Sequence, residues 1–280
     1  MPSDLEDAFG DILQKARDGK SWLPKDLARA TGIPSEGIRR MENYEPIPTD
    51  SIIIKLAKAL DLHSPSLLAI AKGTWKPRPP SVDPAFDVIC MDVFMGSYPV
   101  KCYLLRCGST GAAAVVDTGG NPEAVISKAR DMGVVPQKIL LTHAHPDHSG
   151  GQEILDREFN CPTYIDKREQ RPPGGRDLRF VKDGEVLNLG SLRINVISTP
   201  GHTPGGVTYR VNKTLLSGDV IFAGSMGRAN SSWDNLFNSI TSRLFSLPPE
   251  TAIHPGHGPA TTVGEEKRHN PFFAGKFMRG

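Results

Sequence analysis

The stretch Leu140-Leu141-Thr142-His143-Ala144-His145-Pro146-Asp147-His148-Ser149-Gly150-Gly151 decides how the rest of this sequence is interpreted. It places four groups that can ligate a metal within six residues, directly after an apolar run typical of a strand. The chain of 280 residues has only eight histidines, and three of them lie here. Without a cation, these imidazoles would repel one another on protonation and leave buried donors unpaired. The stretch therefore predicts a metal site at the end of a strand.

Three more metal-ligand candidates follow, each at a corner marked by glycine or proline. They are His202 in Pro200-Gly201-His202-Thr203-Pro204, Asp219 in Leu215-Leu216-Ser217-Gly218-Asp219, and His257 in Ile253-His254-Pro255-Gly256-His257-Gly258. Such turns project a side chain from the rigid edge of a sheet. Each of the three alone is typical of an ordinary loop residue. Together with the first stretch, they predict one shared metal centre.

Short β-branched or apolar runs, bounded by glycine and proline, predict strands in the second part of the chain. Examples are Val88–Met91, Ala113–Val116, Ile139–Thr142, Ile194–Ile197 and Val207–Val211. Helical stretches lie between some of these runs, notably Pro122–Met132 and Gly151–Phe159. We therefore expect an α/β fold, with a sandwich of sheets flanked by helices.

A proline-rich stretch, Thr74 to Pro84, predicts the boundary between two units, because four prolines in eleven residues favour an extended, semi-stiff connection. Before it, apolar residues recur at helical spacing, which predicts four or five helices and no strand. Gly32 is expected just after one helix, and Ser35 is expected to cap the next. The predicted organisation is a small all-α domain over 1–73, a linker over 74–84 and a larger domain over 85–280.

The larger domain resembles the metallo-β-lactamase superfamily over nearly all of 85–280. The superfamily motif H-x-H-x-D-H is intact as His143, His145, Asp147 and His148, and the later ligands appear in order as His202, Asp219 and His257. The resemblance implies an αββα sandwich with two divalent metal ions per chain. It implies that one metal is held by His143, His145 and His202, the second by Asp147, His148 and His257, and that Asp219 bridges them.

The metal and its surroundings follow from the same resemblance. Imidazole and carboxylate ligands without cysteine suit zinc first, and also iron or manganese. The run Val115-Val116-Asp117-Thr118-Gly119 is similar to the early aspartate loop of the superfamily. This implies that Asp117 orients a ligand histidine from outside the metal site, the alternative being a plain turn residue.

Four segments look most like glyoxalase II and its short bacterial relatives: Pro200–Gly206, Phe222–Arg228, Gly256–Pro259 and Glu265–Pro271. This implies hydrolysis of a thioester. Because Gly280 follows His257 by only 23 residues, we expect no C-terminal helical region of the kind that helps longer glyoxalase II proteins bind glutathione. A small thioester, a lactone or another ester therefore stays open as the substrate. The resemblance extends to the persulfide dioxygenases, which use a single iron held by the counterparts of His143, His202 and Asp219, so an iron-dependent oxygenase is an alternative.

In the hydrolase hypothesis, two metal ions a few ångströms apart lower the pKa of a bridging water from far above neutrality to about 7. The resulting hydroxide attacks a thioester carbonyl that one metal polarises. Asp147 is expected to be catalytic, orienting the hydroxide while it binds the second metal. Arg228, Lys267 and Arg268 are candidates for holding an anionic substrate tail, the alternative being solvated surface charge.

Residues 23–42 resemble the helix-turn-helix of Cro/repressor-like domains, with the turn at Thr31-Gly32-Ile33 and the second helix beginning at Ser35. In a DNA-binding protein this second helix enters the major groove, and Arg39 and Arg40 contact bases or phosphates. Residues 1–78 hold 12 Lys and Arg against 11 Asp and Glu, which is a weak footprint for a backbone with one charge per roughly 1.7 Å. A DNA-binding regulator with a metal-domain sensor is therefore one alternative. Contacts in a homodimer, or packing over the mouth of the metal site, are others.

The composition, with 38% hydrophobic and 23% charged residues, is typical of a globular protein with a sizeable core. No stretch approaches the roughly 20 apolar residues of a bilayer span. Acidic residues in MPSDLEDAFGDILQKA lie where a signal peptide has basic ones. We therefore expect a cytoplasmic protein without membrane contact, in which the four cysteines are reduced. The net charge of +2 excludes no class of partner.

Overall fold

The computed structural model of this protein describes residues 5–45, 47–96, 98–172 and 174–276. Five helices form its first part, which we call the helical unit: α1 (Phe9–Gly19), α2 (Pro24–Thr31), α3 (Ser35–Glu42), α4 (Asp50–Ala59) and α5 (Ser64–Ala71). Pro24 suits the first turn of α2, where a backbone N–H would have no partner within the helix. Gly32 ends α2 in the left-handed region, with φ of 68°, as the turn requires. The expected cap of α3 is wrong, because Pro34 occupies the N-cap and Ser35 is already helical.

Two six-stranded sheets follow. The first, in spatial order, contains β1 (Phe86–Met95), β2 (Tyr98–Cys107), β3 (Ala113–Val116), β4 (Pro136–Leu140), β5 (Thr163–Asp166) and β6 (Leu178–Val181). Its first three strands are antiparallel, and β3 to β6 are parallel.

The second sheet is mostly antiparallel, with one parallel pair. The remaining strands, in chain order, are β7 (Val186–Leu189), β8 (Leu192–Ser198), β9 (Val207–Val211), β10 (Thr214–Gly218), β11 (Ile221–Phe222), β12 (Ser225–Met226), β13 (Ala252–Pro255) and β14 (Thr261–Thr262). The order in the sheet is β14-β13-β10-β9-β8-β7, and β11 pairs with β12 in a separate hairpin. The helices of this part are α6 (Pro122–Asp131), α7 (Pro146–Ser149), α8 (Gln152–Phe159), α9 (Trp233–Asn238) and α10 (Val263–His269), with a π-helical segment over Ser239–Leu244.

Alternate residues of each strand face opposite sides of its sheet, so neighbouring residues enter different cores. Leu105 of β2 packs between the sheets with Tyr209 of the second sheet, and both side chains are fully buried. The preceding residue, Leu104, faces outward and packs against the layer formed by α6 and α8, with Val125 and Leu155. The expected αββα sandwich is therefore confirmed.

The helical unit supplies part of the outer layer on the second sheet. Leu215 and Ile253 of this sheet belong to the same buried cluster as Ile12 and Leu13 of α1 and Ile240 of the π-helical segment. A backbone hydrogen bond of 2.8 Å, from His63 N to Pro271 O, joins the two parts again. The helical unit and the sandwich therefore share one hydrophobic core.

Residues 74–83 form no helix or strand, in agreement with the expected extended connection. The connection is nevertheless docked, because the half-buried ring of Trp75 stacks on His269 with 5.6 Å between ring centroids. All four cysteines are free thiols. Within the described ranges, every helix is too short or too polar to cross a bilayer.

Candidate metal centre

All seven predicted metal ligands lie in loops that follow strands at one edge of the sandwich. His143, His145, Asp147 and His148 follow β4 and extend into α7, His202 follows β8, Asp219 follows β10, and His257 follows β13. Rigid strands thus present their ligands from short connections, which is a common way to position a functional site. The structure brings all seven residues together.

The first group consists of His143, His145 and His202. The Nδ1 atom of His145 lies 3.0 Å from His143 Nε2 and 2.9 Å from His202 Nε2. Nitrogen ligands about 2 Å from a tetrahedral cation would be about 3.3 Å apart, so these separations are close to those of a shared metal.

The second group consists of Asp147, His148 and His257, with 3.4 Å between His257 Nε2 and Asp147 Oδ2. The Asp219 carboxylate lies between the two groups. Its Oδ2 atom is 3.6 Å from His202 Nε2 and 3.5 Å from His257 Nε2. Its Oδ1 atom is 3.2 Å from His148 Nε2.

Two buried polar atoms show that this arrangement fits a cation. His148 Nε2 and Asp219 Oδ1 lie 3.2 Å apart without the alignment of a hydrogen bond, and neither has a hydrogen-bond partner among the described residues. Buried polar atoms without partners are costly and rare in folded proteins. A metal ion between them would satisfy both, and imidazole and carboxylate ligands suit zinc, iron or manganese.

The opposite ring nitrogens are held by groups outside the centre. Nδ1 of His148 lies 2.8 Å from Asp117 Oδ2, and the backbone carbonyls of Arg228 and Pro99 lie 2.8 and 3.0 Å from Nδ1 of His202 and His257. Each contact orients its ring and leaves Nε2 for the centre.

Asp117 occupies the position expected of a supporting residue. Its buried carboxylate also accepts hydrogen bonds of 2.8 Å from both the backbone N–H and the hydroxyl of Thr142. Its φ of 55° places it in the left-handed region, where non-glycine residues are uncommon. A plain turn requires neither this backbone conformation nor the contact with His148. Both therefore favour a supporting role for Asp117 over that of a plain turn residue.

Charge within the centre favours a cation. Burial lowers the pKa of His148, but Asp219 and Asp117 outweigh it and hold this pKa well above its ordinary value. Burial likewise opposes a charge on His257, while hydrogen bonds to Asp147 and Asp219 raise its pKa to about 10. The pKa of Asp219 is well below its ordinary value, because His148 outweighs the effect of burial. Metal binding would therefore release histidine protons and leave the carboxylates ionised.

A cavity of about 400 Å³ opens onto the centre. Its floor includes His145, Asp147, His202, Asp219 and His257. Its other side is formed partly by residues of the N-terminal part: Glu6, Asp7, Asp11, Lys15 and Tyr44. The alternative in which the N-terminal part packs over the mouth of the site is therefore what the structure contains.

Only one of the three predicted substrate-binding cations lines this cavity. The exposed Arg228 lies at its rim and donates a hydrogen bond of 2.8 Å to Gln14 Oε1. Lys267 lies over the Phe245 ring, 5.7 Å from its centroid, and Arg268 donates a hydrogen bond to Glu265. We therefore correct the expectation for Lys267 and Arg268, because both are used within their own region and neither reaches the cavity.

The predicted DNA contacts Arg39 and Arg40 are exposed on α3, 59% and 58% of each side chain. Arg39 Nη1 lies 3.6 Å from Glu36 Oε2, and Arg40 pairs with Glu45. Both guanidinium groups are therefore accessible, but each already has an acidic neighbour.

Sequence reasoning missed Glu169, which joins two of the ligand loops. Its carboxylate accepts a hydrogen bond of 2.9 Å from the backbone N–H of Ala144, between His143 and His145. It accepts another, of 2.7 Å, from the N–H of Gly205, which follows His202. No motif surrounds Glu169, so nothing in the sequence distinguishes it from a surface glutamate.

Comparison with known proteins gives two family matches. The model of the Metallo-beta-lactamase superfamily matches residues 95–257, and a Helix-turn-helix model matches residues 13–67. Probable metallo-hydrolase YqgX of Bacillus subtilis is 34% identical over 204 residues, covering 65% of this chain and 95% of YqgX. Hydroxyacylglutathione hydrolase GloC of Haemophilus influenzae is 30% identical over 187 residues, covering 59% of this chain and 88% of GloC. Among solved structures, TTHA1623 in a di-iron-bound form is 34% identical and covers 65% of this chain and 100% of its own, with a TM-score of 0.58.

Proposed function

Because this chain belongs to the metallo-beta-lactamase superfamily, we propose that it is a two-metal hydrolase that cleaves a thioester or a related ester or lactone. The convergence of seven ligand side chains from four separate loops is the observation that carries this proposal. The similarity to GloC, whose name states hydrolysis of a hydroxyacylglutathione, favours a thioester over other esters. TTHA1623 was solved in a di-iron-bound form, so the similarity to it favours two metal ions per chain and makes iron a candidate as well as zinc.

In this proposal His143, His145 and His202 would hold one metal, Asp147, His148 and His257 would hold the other, and Asp219 lies close enough to both groups to contribute to each. Bound there, divalent cations would lower the pKa of water and polarise a carbonyl group. Asp117 keeps the His148 ring oriented through the 2.8 Å contact with Nδ1.

The chain's own groups position the reactants. Asp147, which lines the cavity, accepts a hydrogen bond from the attacking water and aims its oxygen at the substrate carbonyl. Attack of the water oxygen forms the new carbon–oxygen bond, and collapse of the resulting tetrahedral carbon then breaks the carbon–sulfur bond. The sulfur departs as a thiolate, and the water protons pass through Asp147 to solvent. Since thiols have a pKa of about 8.5, this leaving group needs no strong general acid.

Elemental analysis followed by an esterase and thioesterase panel tests the proposal. We expect two metals per chain and hydrolysis of a hydroxyacyl thioester. We expect His145→Ala to lower both the metal content and the activity, the activity by at least about a hundredfold. His63→Ala is the matched control, because His63 lies at the start of α5 and outside the cavity. A single iron per chain, with oxygen consumption on a persulfide, would replace the hydrolase with the oxygenase alternative.

DNA recognition by the helical unit is a second candidate function. The match to a helix-turn-helix model and the exposure of Arg39 and Arg40 on α3 support it. In a selection from randomised duplexes, we expect weak binding that falls between about 50 and about 200 mM salt. Replacing both arginines by alanine should reduce the slope of log K against log salt concentration by about two, because two phosphate contacts are lost. Lys213→Ala, on the sandwich, should leave this slope unchanged. Binding that persists unchanged without the two arginines would exclude α3 as the contact helix.

A further inference from the structure

The N-terminal part is fixed to the metal cavity by a buried polar network. Lys15 Nζ donates hydrogen bonds to the Asp7 carboxylate and, over 2.8 Å, to the backbone carbonyl of Met226. Asp7 in turn accepts a hydrogen bond from Ser225. Lys15 and Asp7 are about 95% buried, with 5% and 6% of their surfaces exposed. These contacts end on the β11–β12 hairpin. They therefore attach α1 and the residues before it to the sandwich, where they form one wall of the cavity.

Most charged groups of this wall already have partners. Asp7 is paired with Lys15. Asp11 accepts hydrogen bonds of 3.0 Å from Ala8 N and 2.6 Å from the Tyr44 hydroxyl. Arg228, opposite, donates to Gln14. These pairs hold the wall together and leave little uncompensated charge.

Glu6 is different. It lines the cavity and is half-buried, and in the described part of the chain its carboxylate makes no hydrogen bond or ion pair, although the charges of His257 and Lys15 attract it from a distance. Its backbone packs on Gly258, where an added Cβ would lie only 3.0 Å from Glu6 N. This packing places the start of the Glu6 side chain next to the loop that carries His257. A partly buried carboxylate without a partner is costly, unless a ligand or water supplies the missing contact.

We propose that Glu6 selects substrates that carry an ammonium group near the scissile bond. This inference rests on the proposed hydrolase function and names the substrate class for the same cavity. Arg228 favours the opposite charge, but it is exposed at the rim, where solvent and salt weaken a charge pair. Glu6 lies deeper, where the effective dielectric is lower and the same pair is stronger.

Three thiols of similar size test the charge preference without turnover. Cysteamine, 2-mercaptoethanol and mercaptoacetate each offer a thiol to zinc or iron, and their tails are cationic, neutral and anionic. By calorimetric titration of the metal-loaded protein, we expect cysteamine to bind about fivefold more tightly than 2-mercaptoethanol, as one partly solvated charge pair would give. Glu6→Gln should abolish this difference, and Glu6→Lys should shift the preference to mercaptoacetate. Glu36→Gln, which removes an exposed carboxylate that does not line the cavity, should leave the preference unchanged.

Other outcomes overturn the inference. Tightest binding of mercaptoacetate by the natural protein, lost in Arg228→Gln, would assign selection to Arg228 and an anionic tail. Equal weakening of all three thiols in Glu6→Gln would reduce Glu6 to a structural role. Thioester hydrolysis without a preference for cysteamine refutes only the role of Glu6. A preference that persists in a protein with two metals but no hydrolase activity refutes the proposed reaction.

Discussion

Gly256 shows how closely the backbone approaches the metal centre. It precedes His257, and a Cβ atom added to it would lie 2.2 Å from Asp219 Oδ1 and 2.5 Å from His148 Cε1. Real Cβ atoms do not come this close to other atoms, so any side chain here must displace Asp219 or His148. The absence of a side chain at Gly256 therefore leaves room for the Asp219 carboxylate.

We predict that Gly256→Ala lowers metal affinity at least about tenfold while the fold persists, since ligands shifted by an ångström no longer meet one cation. Metal retained after dialysis, together with circular dichroism, checks this. Gly37→Ala is the control, because its new methyl would make only an ordinary contact, 3.7 Å from Ile33. Full metal content in Gly256→Ala would mean that Asp219 does not bridge.

Some residues of the candidate site could be predicted from the sequence, and others could not. The ligand histidines and Asp219 could be predicted, because a dense motif and several glycine corners mark them. Glu169 could not, because its partners Ala144 and Gly205 lie far away in sequence, and Glu6 could not, because the cavity that it lines is formed by residues distant along the chain. Lys267 and Arg268 were assigned from charge alone, and charge does not say which way a side chain faces.

Among the helices and strands, β3 and β9 have the bounds that the apolar runs predict. The run at Ile139–Thr142 leaves the sheet earlier than expected, because β4 ends at Leu140 and Thr142 bonds to Asp117 instead. The two-residue strands β11 and β12 and the π-helical segment were missed, since such short or irregular elements carry no periodic signal. The prolines of 74–84 predicted an extended connection but not the docking of Trp75 on His269.

The molecule as a whole is tied together by its shared core. Leu13 of α1 is fully buried in the same cluster as Leu215 and Ile253 of the second sheet. Tertiary packing of this kind couples the stability of the parts, so the helical unit should not unfold separately.

We predict that Leu13→Ala lowers the free energy of unfolding by about 2–5 kcal/mol and keeps one cooperative transition. Urea unfolding, followed by tryptophan fluorescence and circular dichroism, measures both. Leu23→Ala is the matched control, since Leu23 belongs to the same part but is 56% exposed. Two separate transitions, with only the first one shifted, would show that the helical unit folds independently.

The docked helical unit also changes what a deletion experiment can reveal. A fragment that begins at residue 85 would remove the part of the outer layer that the helical unit supplies, and would partly uncover apolar side chains on the outer face of the second sheet, such as Leu215 and Ile253. Such a fragment would expose an apolar surface and would therefore tend to aggregate. It would also lose one side of the cavity above the candidate metal centre. Point substitutions, and not truncation, are therefore the means to separate what the two halves of this chain contribute.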